Sequence, residues 1–440
     1  MLAGGGVPVH AFDLYKSGAL TINGDFSAAL AVINSERSYN SVGVLTEAGK
    51  RTWFEGLGTY GVSGQYQLGG GNGAIFGAFD LFSGADRGGQ NAAGITTGDE
   101  YQTQIQNAYL GWKSGDVIPW LGHDGLKISA GRQSFSLGSS FLIGGDKISF
   151  GKGFNALPGA PGGIERAGGT YYLGSLNPFS KTAVLELGGD HGLHLKGFWL
   201  SSDNKAQGET SLAGTNLEYR DAAYGTVGAT YLRGLSVSDV ATGFFGQGHR
   251  DGQNIWSTYG NTSLGIKQLD IAGQYVYQAN NGRGGTSRAH AWFASIGWTF
   301  DKVPWTPGLT YHFSRFSPGY DTWFYGFSNF GTWFQGEVAG NYAGPFNTAA
   351  DIQIVKFDLH PSSTLQLSVY YTHFGNIPDG YPKLQGDEVD AYASWTVWDH
   401  YTLIPLIGYY KPKYSAAGGG TQLGGAGPNI YSELLLFITF

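Results

Sequence analysis

One pattern recurs along the chain: segments of roughly ten to fifteen residues with apolar side chains at alternate positions, separated by polar or glycine-rich connections. In residues 19–33, Leu20, Ile22, Phe26, Ala28, Leu30 and Val32 share one parity, while Thr21, Asn23, Asp25 and Ser27 share the other. A strand sends successive side chains to opposite faces, so this alternation predicts a strand with one apolar and one polar face. The last stretch, 429–440, reads similarly. Ile430, Leu434, Leu436, Ile438 and Phe440 lie on one parity, and Asn429, Glu433 and Thr439 lie on the other, which Leu435 and Phe437 make only partly polar. As a strand it would span about 40 Å, enough to cross an outer-membrane hydrocarbon layer at the usual tilt. A core strand of a soluble β-protein could carry the same local pattern, so the rest of the chain decides.

No run of about 20 apolar residues occurs, so no transmembrane helix is predicted. Charged residues make up only 13% of the 440, while 15% are aromatic. Soluble globular chains carry about a quarter charged residues. A chain can be this poor in charge, without long apolar runs, if alternate residues face lipid and water. The aromatic load excludes disorder. A net charge of −7 with no basic cluster argues against a nucleic-acid partner. The absence of Cys fits an envelope protein. Met1 to His10 lacks the basic and apolar regions of an export signal, so a mature form is expected.

The connections alternate in length. Short ones fall at 220–222, 267–268, 360–363 and 398–401; long ones fall at 236–254, 320–350, 375–387 and 412–428. Short periplasmic turns alternating with long outer loops mark an up-and-down outer-membrane barrel. The stretch 136–181 is too long for a simple connection and is expected to fold into or over the barrel mouth. The expected fold class is therefore all-β: a transmembrane antiparallel up-and-down β-barrel of about 18 strands, with long outer loops partly folded into the lumen. Residues 1–440 are read as one such domain, with 1–18 as a short N-terminal tail. An even strand count would put both termini on the periplasmic side.

Parity also predicts the lumen. Glu388, Asp390, Tyr392, Ser394 and Thr396 should face inward, opposite Val389, Ala391, Ala393, Trp395 and Val397. Thr364, Gln366, Ser368, Tyr370 and Thr372 form a second inward set. Lys356 and Asp358, then Asp270, Gln274 and Gln278, then His194 and Lys196, complete a polar wall of mixed sign. Most of these residues are accounted for by the need to solvate a water-filled interior.

Two stretches carry a family resemblance. One is Gly131-Arg132-Gln133, at the end of a strand before the long loop. The other is the aromatic and glycine-rich run from Phe324 to Glu337, continued by Val338-Ala339-Gly340-Asn341-Tyr342. Both resemble the alginate-export family of outer-membrane β-barrel porins. That resemblance implies a barrel of about 18 strands and a passive conduit for an anionic polysaccharide such as alginate, with Arg and Lys in a selective constriction. The residues it implies for the pore are Arg132, Gln133, Lys147, Lys152, Arg166, Arg315, Trp333, Gln335 and Glu337, with Trp323 and Phe334 as further aromatic platforms. Fixed positive charge would offset desolvation of substrate carboxylates. Periodicity pulls the other way for two of these: Arg132 follows the parity of Leu126, Ile128 and Ala130, and Arg315 that of Leu309, Tyr311 and Phe313, so both point outward unless a bulge resets the register.

Two further readings stay open: a general or substrate-specific porin for small solutes, and a non-conducting structural or adhesive barrel. No enzyme is expected. The His-Asp neighbours His123-Asp124, Asp190-His191 and Asp399-His400 all fall in predicted tight turns, where Asp is a turn former. Gly151-Lys152-Gly153 lacks phosphate-loop spacing. Asp99, Glu100 and Asp379 could meet a divalent cation in outer loops, but no motif supports this, and no cofactor or metal is expected. The expected partners are outer-membrane lipid and lipopolysaccharide, a saccharide or small-solute substrate, and periplasmic export proteins. A monomer is expected.

Overall fold

The structure is a computed structural model that describes residues 11–440 apart from 45, 175, 190–191, 281–286, 327–334, 345–346 and 376–381. Its strands run in chain order as β1 (Ala11–Ser17), β2 (Leu20–Ser35), β3 (Arg51–Gln67), β4 (Ala74–Arg87), β5 (Tyr101–Lys113), β6 (Leu126–Gln133), β7 (Phe179–Leu187), β8 (Gly192–Ser201), β9 (Ser211–Asp221) and β10 (Gly225–Ser236). They continue as β11 (Asn254–Thr262), β12 (Leu269–Asn280), β13 (Ser287–Thr299), β14 (Gly308–Phe316), β15 (Ala350–Ser362), β16 (Leu365–Phe374), β17 (Gly386–Val397), β18 (Tyr401–Pro412) and β19 (Asn429–Thr439). From β2 to β19 each strand pairs antiparallel with the next, and β19 pairs back onto β2. Eighteen strands thus close into a barrel with no free edge, as the alternation predicts.

The closing seam sets Leu434 against Val32, Leu436 against Leu30 and Ile438 against Ala28, all on the outward face. The Phe440 N–H donates to the Phe26 carbonyl at 3.1 Å, and the Phe440 ring stacks on His400 with centroids 4.6 Å apart. β2 runs on past the end of β19, and β1 pairs with that overhang, from Ser17 opposite Leu20 to Ala11 opposite Asp25. The second half of the expected tail is therefore a strand. Without it, the backbone groups at the lower end of β2 would have no partner on that side.

The two ends of the barrel differ. One end carries short turns such as 222–224, 363–364 and 398–400; the other carries 134–178, 237–253 and 317–349. The outward faces present an apolar belt that includes Phe54, Val62, Phe79, Leu110, Val227 and Ile296. Trp120, Trp305 and Trp398 stand exposed in the short turns, where an interfacial aromatic girdle belongs.

Inside, the wall has two characters. Toward the short turns it is polar, as parity predicts. Toward the long loops, inward-facing Ile33, Trp53, Phe82, Ile255, Ile352 and Leu435 are buried. The expectation of a polar lumen fails in this half because the loops bring Phe141, Phe154, Tyr172, Trp323, Phe324 and Tyr342 into it, forming one apolar cluster with the wall. Water is displaced there, so apolar wall residues are favoured; each fully buried large side chain contributes about 1.5–3 kcal/mol. The two principal inserted loops cross each other. Gly144 N–H donates to the Phe324 carbonyl at 2.7 Å and Gly326 N–H to the Ser140 carbonyl at 3.1 Å. The crossing requires glycine, since a Cβ on Gly144 would lie 2.7 Å from the Gly326 Cα.

Candidate functional site

Beneath the inserted loops, on the side of β6 to β13, lies a cavity of about 700 Å³. Its floor reaches the short turns at Asp124, Gly188 and Gly189, and its ceiling is the loop segment 136–139. Three adjacent strands build one charged row. Lys127 on β6 sits opposite Glu186 on β7, which sits opposite Lys196 on β8. Lys196 Nζ is 2.8 Å from Glu186 Oε1. Closer to the short turns, His194 on β8 faces Glu218 on β9, and Arg220 pairs with Glu218. Tyr259 on β11 donates to Glu218 Oε2 at 2.5 Å and meets Asn216. The ceiling is tied to the wall by Ser139 Oγ donating to Gln274 Oε1 at 2.9 Å. It comes close because Gly138, at φ 52°, lies against the Tyr259 ring. At the floor, the hydrogen bond to Asp116 and the nearby charges of Asp124 and Asp116 push the His123 imidazole up from its ordinary pKa.

This surface is polar, mixed in sign and internally paired. It offers hydrogen bonds and charge to a passing solute. Lys127, Glu186, Glu218, Arg220 and Tyr259 were not singled out from sequence. Parity held the signal for the first two, since Lys127 alternates with Leu126 and Ile128, and Glu186 with Leu185 and Leu187. Among the described residues, no group of His, Asp and Glu side chains could hold a metal ion.

The residues implied by the resemblance scatter over several environments. Gln133 faces inward and bonds Ser129 Oγ at 3.0 Å and Thr182 Oγ1 at 2.6 Å. The register between β6 and β7 shifts after Gly131, whose φ of 131° suits glycine. Arg132 stands at that bulge. Its Nε donates to the Ile105 carbonyl at 2.8 Å and its Nη1 to Asp203 Oδ2 at 2.9 Å. Asp203 also lies 3.6 Å from Arg166, which is buried 3.3 Å from the buried Asp146. Arg132 and Arg166 therefore meet, but around two carboxylates at the long-loop rim. Lys147, partly buried nearby in the same loop, has its pKa pushed down to about 8 by burial. Lys152 is exposed, and its backbone N–H donates to Glu100 at 2.9 Å.

Arg315 departs from the pore assignment. It faces outward, half-exposed, with both donors on the Asp351 carboxylate at 2.7 Å, because no bulge interrupts β14 and the period-two parity holds. Gln335 and Glu337 are buried inside the barrel. Trp333 and Phe334 lie outside the described residues. Trp323 is fully buried, with its indole N–H donating to Gln253 Oε1 at 2.6 Å.

A second buried pair was missed from sequence. Arg250, in the loop after β10, donates from Nε and Nη2 to Asp321 at 2.6 Å each, and from Nη1 to Gln207 Oε1 at 3.0 Å. Its guanidinium lies 5.2 Å from the Trp323 ring centre. Burial alone would raise the Asp321 pKa, but the Arg250 charge and hydrogen bonds from Arg250 and His249 hold it well below the usual carboxylate range. Its partners lie in separate loops about 70 residues apart in the chain, a pairing that no local pattern announces.

No family model matches the sequence, and no curated protein matches it. Solved structures do. OccK11 (OpdR) of Pseudomonas aeruginosa is 13% identical and aligns over 94% of this chain and 95% of its own, with a TM-score of 0.54. A BenF-like porin from Pseudomonas fluorescens Pf-5 is 10% identical over 94% and 97%, at 0.59. OccAB3 of Acinetobacter baumannii is 10% identical over 94% and 99%, at 0.56. The chain shares the closed antiparallel barrel of these proteins along nearly its whole length. That fold, with its apolar belt, locates the chain in the bacterial outer membrane. These three barrels carry Occ or BenF-like names, so the alginate-export resemblance rests on the sequence motifs alone.

Proposed function

We propose that the chain is a passive outer-membrane channel for small polar solutes, with the cavity under the inserted loops as part of the path. The observation that carries this reading is the wall from β6 to β11. It keeps Lys127, Glu186, Lys196, Glu218 and Arg220 around an open, polar-lined space inside the barrel, whereas a structural plug would replace that space with apolar packing as in the other half. The row of alternating sign supplies sites for either end of a polar solute without a large net field. A polyuronate conduit, the finer function implied by the resemblance, would need a surplus of fixed positive charge at its narrowest point. Lys196 and Arg220 are paired with carboxylates, Arg166 is buried against Asp146, and Arg315 faces outward. Small solutes are therefore favoured.

Liposome swelling with the purified chain tests this. Neutral sugars and small charged solutes should enter at rates that fall with solute size, and Lys127→Glu should shift preference toward cations. Failure of liposomes to swell with every small solute would overturn the reading.

A further inference from the structure

The carboxyl groups that hold the inserted loops in the barrel form a cluster without a cation. Glu388 on β17 accepts the N–H groups of Val338 and Ala339 at 2.6 and 2.9 Å. Asp390, on the same inward face, accepts the Glu337 N–H at 3.3 Å. Further round the wall, Glu55 on β3 accepts the Tyr172 and Leu173 N–H groups at 2.9 and 3.0 Å, and the Trp53 indole at 3.2 Å. The wall thus grips the loop segment 335–344 through Glu388 and the loop segment 170–174 through Glu55. The loops also grip each other: Tyr172 Oη donates to Glu337 Oε2 at 2.8 Å, and Tyr171 Oη to the Asn341 carbonyl at 2.7 Å. Glu433 on β19 completes the set and accepts from Tyr431 Oη at 3.1 Å.

All five carboxyl groups are buried, none more than 4% exposed. Their surroundings are acidic or phenolic on each side. The inserted loops contribute Tyr171, Tyr172 and Tyr342, and β19 contributes Tyr431. Tyr39 and Tyr410 lie toward Glu388, and Asp86 on β4 toward Glu55. On the side of β15 to β17 stand Tyr370, Tyr392 and Asp358, with Lys356 held by Asp358 at 2.9 Å. Arg37 lies toward Tyr39. Among the described residues, none of the five carboxyl groups forms an ion pair.

Such a cluster cannot carry five charges. Each ionised carboxylate buried without a cation costs several kcal/mol, and neighbours of like charge add to that. The hydrogen bonds divide the roles. Glu55 and Glu388 each accept two backbone N–H groups and so anchor the loops. Glu337 Oε1, Asp390 Oδ1 and Glu433 Oε1 are buried with no hydrogen-bond partner, so nothing at these atoms stabilises a charge. Burial first, and then the charges of Glu433 and Asp390, push the Glu337 pKa well above the usual carboxyl range.

We propose that Glu337, Asp390 and Glu433 form a proton-controlled latch: protonated, they let the two loops stay docked in the lumen, and ionised, they repel one another and release the loops to widen the path. The sign follows from linkage. Burial without a cation disfavours the ionised form, so docking is fully favoured while the three groups are protonated and loses that advantage as rising pH ionises them.

The conductance readout rests on the channel reading, so the test has two arms. In planar bilayers from pH 5 to 9, the wild-type barrel should conduct several-fold more at high pH. The variant E337Q/D390N/E433Q, which mimics the protonated cluster, should stay low throughout. Hydrogen exchange at the Tyr172, Leu173, Val338 and Ala339 amides, corrected for intrinsic rate, should accelerate with pH in the wild type and not in the variant. If the triple variant does not fold, E337Q alone should flatten part of each response. Loss of amide protection with pH, but no current at any pH, supports the latch and overturns the channel. Current that is flat with pH, or equal pH responses in wild type and variant, overturns the latch.

Discussion

Replacing Arg250 by Ala isolates how the outer loops are held. The guanidinium is 2% exposed and places two donors on Asp321 at 2.6 Å and a third on Gln207. Its removal leaves Asp321 with His249 as its remaining charged contact, at 2.7 Å. Breaking a buried pair by deleting one partner costs about 3–5 kcal/mol. At about 1.4 kcal/mol per tenfold, the undocked population of 317–326 should rise by two to nearly four orders of magnitude. The pair joins loops to one another, so the barrel itself should survive. In practice, limited proteolysis should cut 237–253 and 317–326 in Arg250→Ala while strand content and heat-modifiable gel mobility stay as in the wild type. Replacing both partners, as Arg250→Met with Asp321→Leu, should recover much of the docking, because no buried charge is left alone. Wild-type resistance in Arg250→Ala, or a double variant weaker than the single one, would refute this reasoning. The Asp321 pKa is depressed, so its contribution is present above the ordinary carboxyl range and is lost as pH falls through the folded value. In Arg250→Ala the main cause of that depression is gone and burial pushes the Asp321 pKa up, so the variant's excess loosening should be largest near neutral pH and shrink as acid neutralises the carboxyl.

Other outcomes follow from single contacts. Deleting Phe440 removes the stack on His400 and the hydrogen bond to Phe26, so the seam should open at lower temperature in a gel-mobility melt. Gly234→Ala would bring a Cβ to 1.8 Å from the Arg250 carbonyl, and should loosen loop 237–253 in the same proteolysis assay. Burial raises the Glu100 pKa to about 7, and its Oε1 accepts the N–H groups of Thr97 and Lys152. Protection of the Lys152 amide should thus be greatest below the ordinary carboxyl range and fall as pH rises through about 7, and Glu100→Gln should flatten that slope in hydrogen exchange.

The wall of the barrel was legible because lipid on one side and water on the other impose a period of two. Leu20 to Val32, the inward Glu388 and Asp390 and the closing strand all follow from it. The inserted loops were legible only as length. The sequence of 134–178 has no periodicity to say which side chains turn inward, and the apolar half of the lumen exists only because those loops fill it. Arg132 shows the limit from another side: parity turned it outward, the motif turned it inward, and a bulge at Gly131 placed it at the rim. Arg315 followed parity against the motif. Lys127 and Glu186 could have been read from alternation, whereas Arg250 with Asp321, or Tyr172 with Glu337, pair across distances in the chain where only the fold makes them neighbours.

The most direct test of a channel built on this wall is single-channel recording of the purified chain in planar bilayers from pH 6 to 9. Discrete, ohmic current steps, altered in charge preference by Lys127→Glu, are the expected result. A barrel that inserts, keeps its strand content and passes no current at any of these pH values would contradict it.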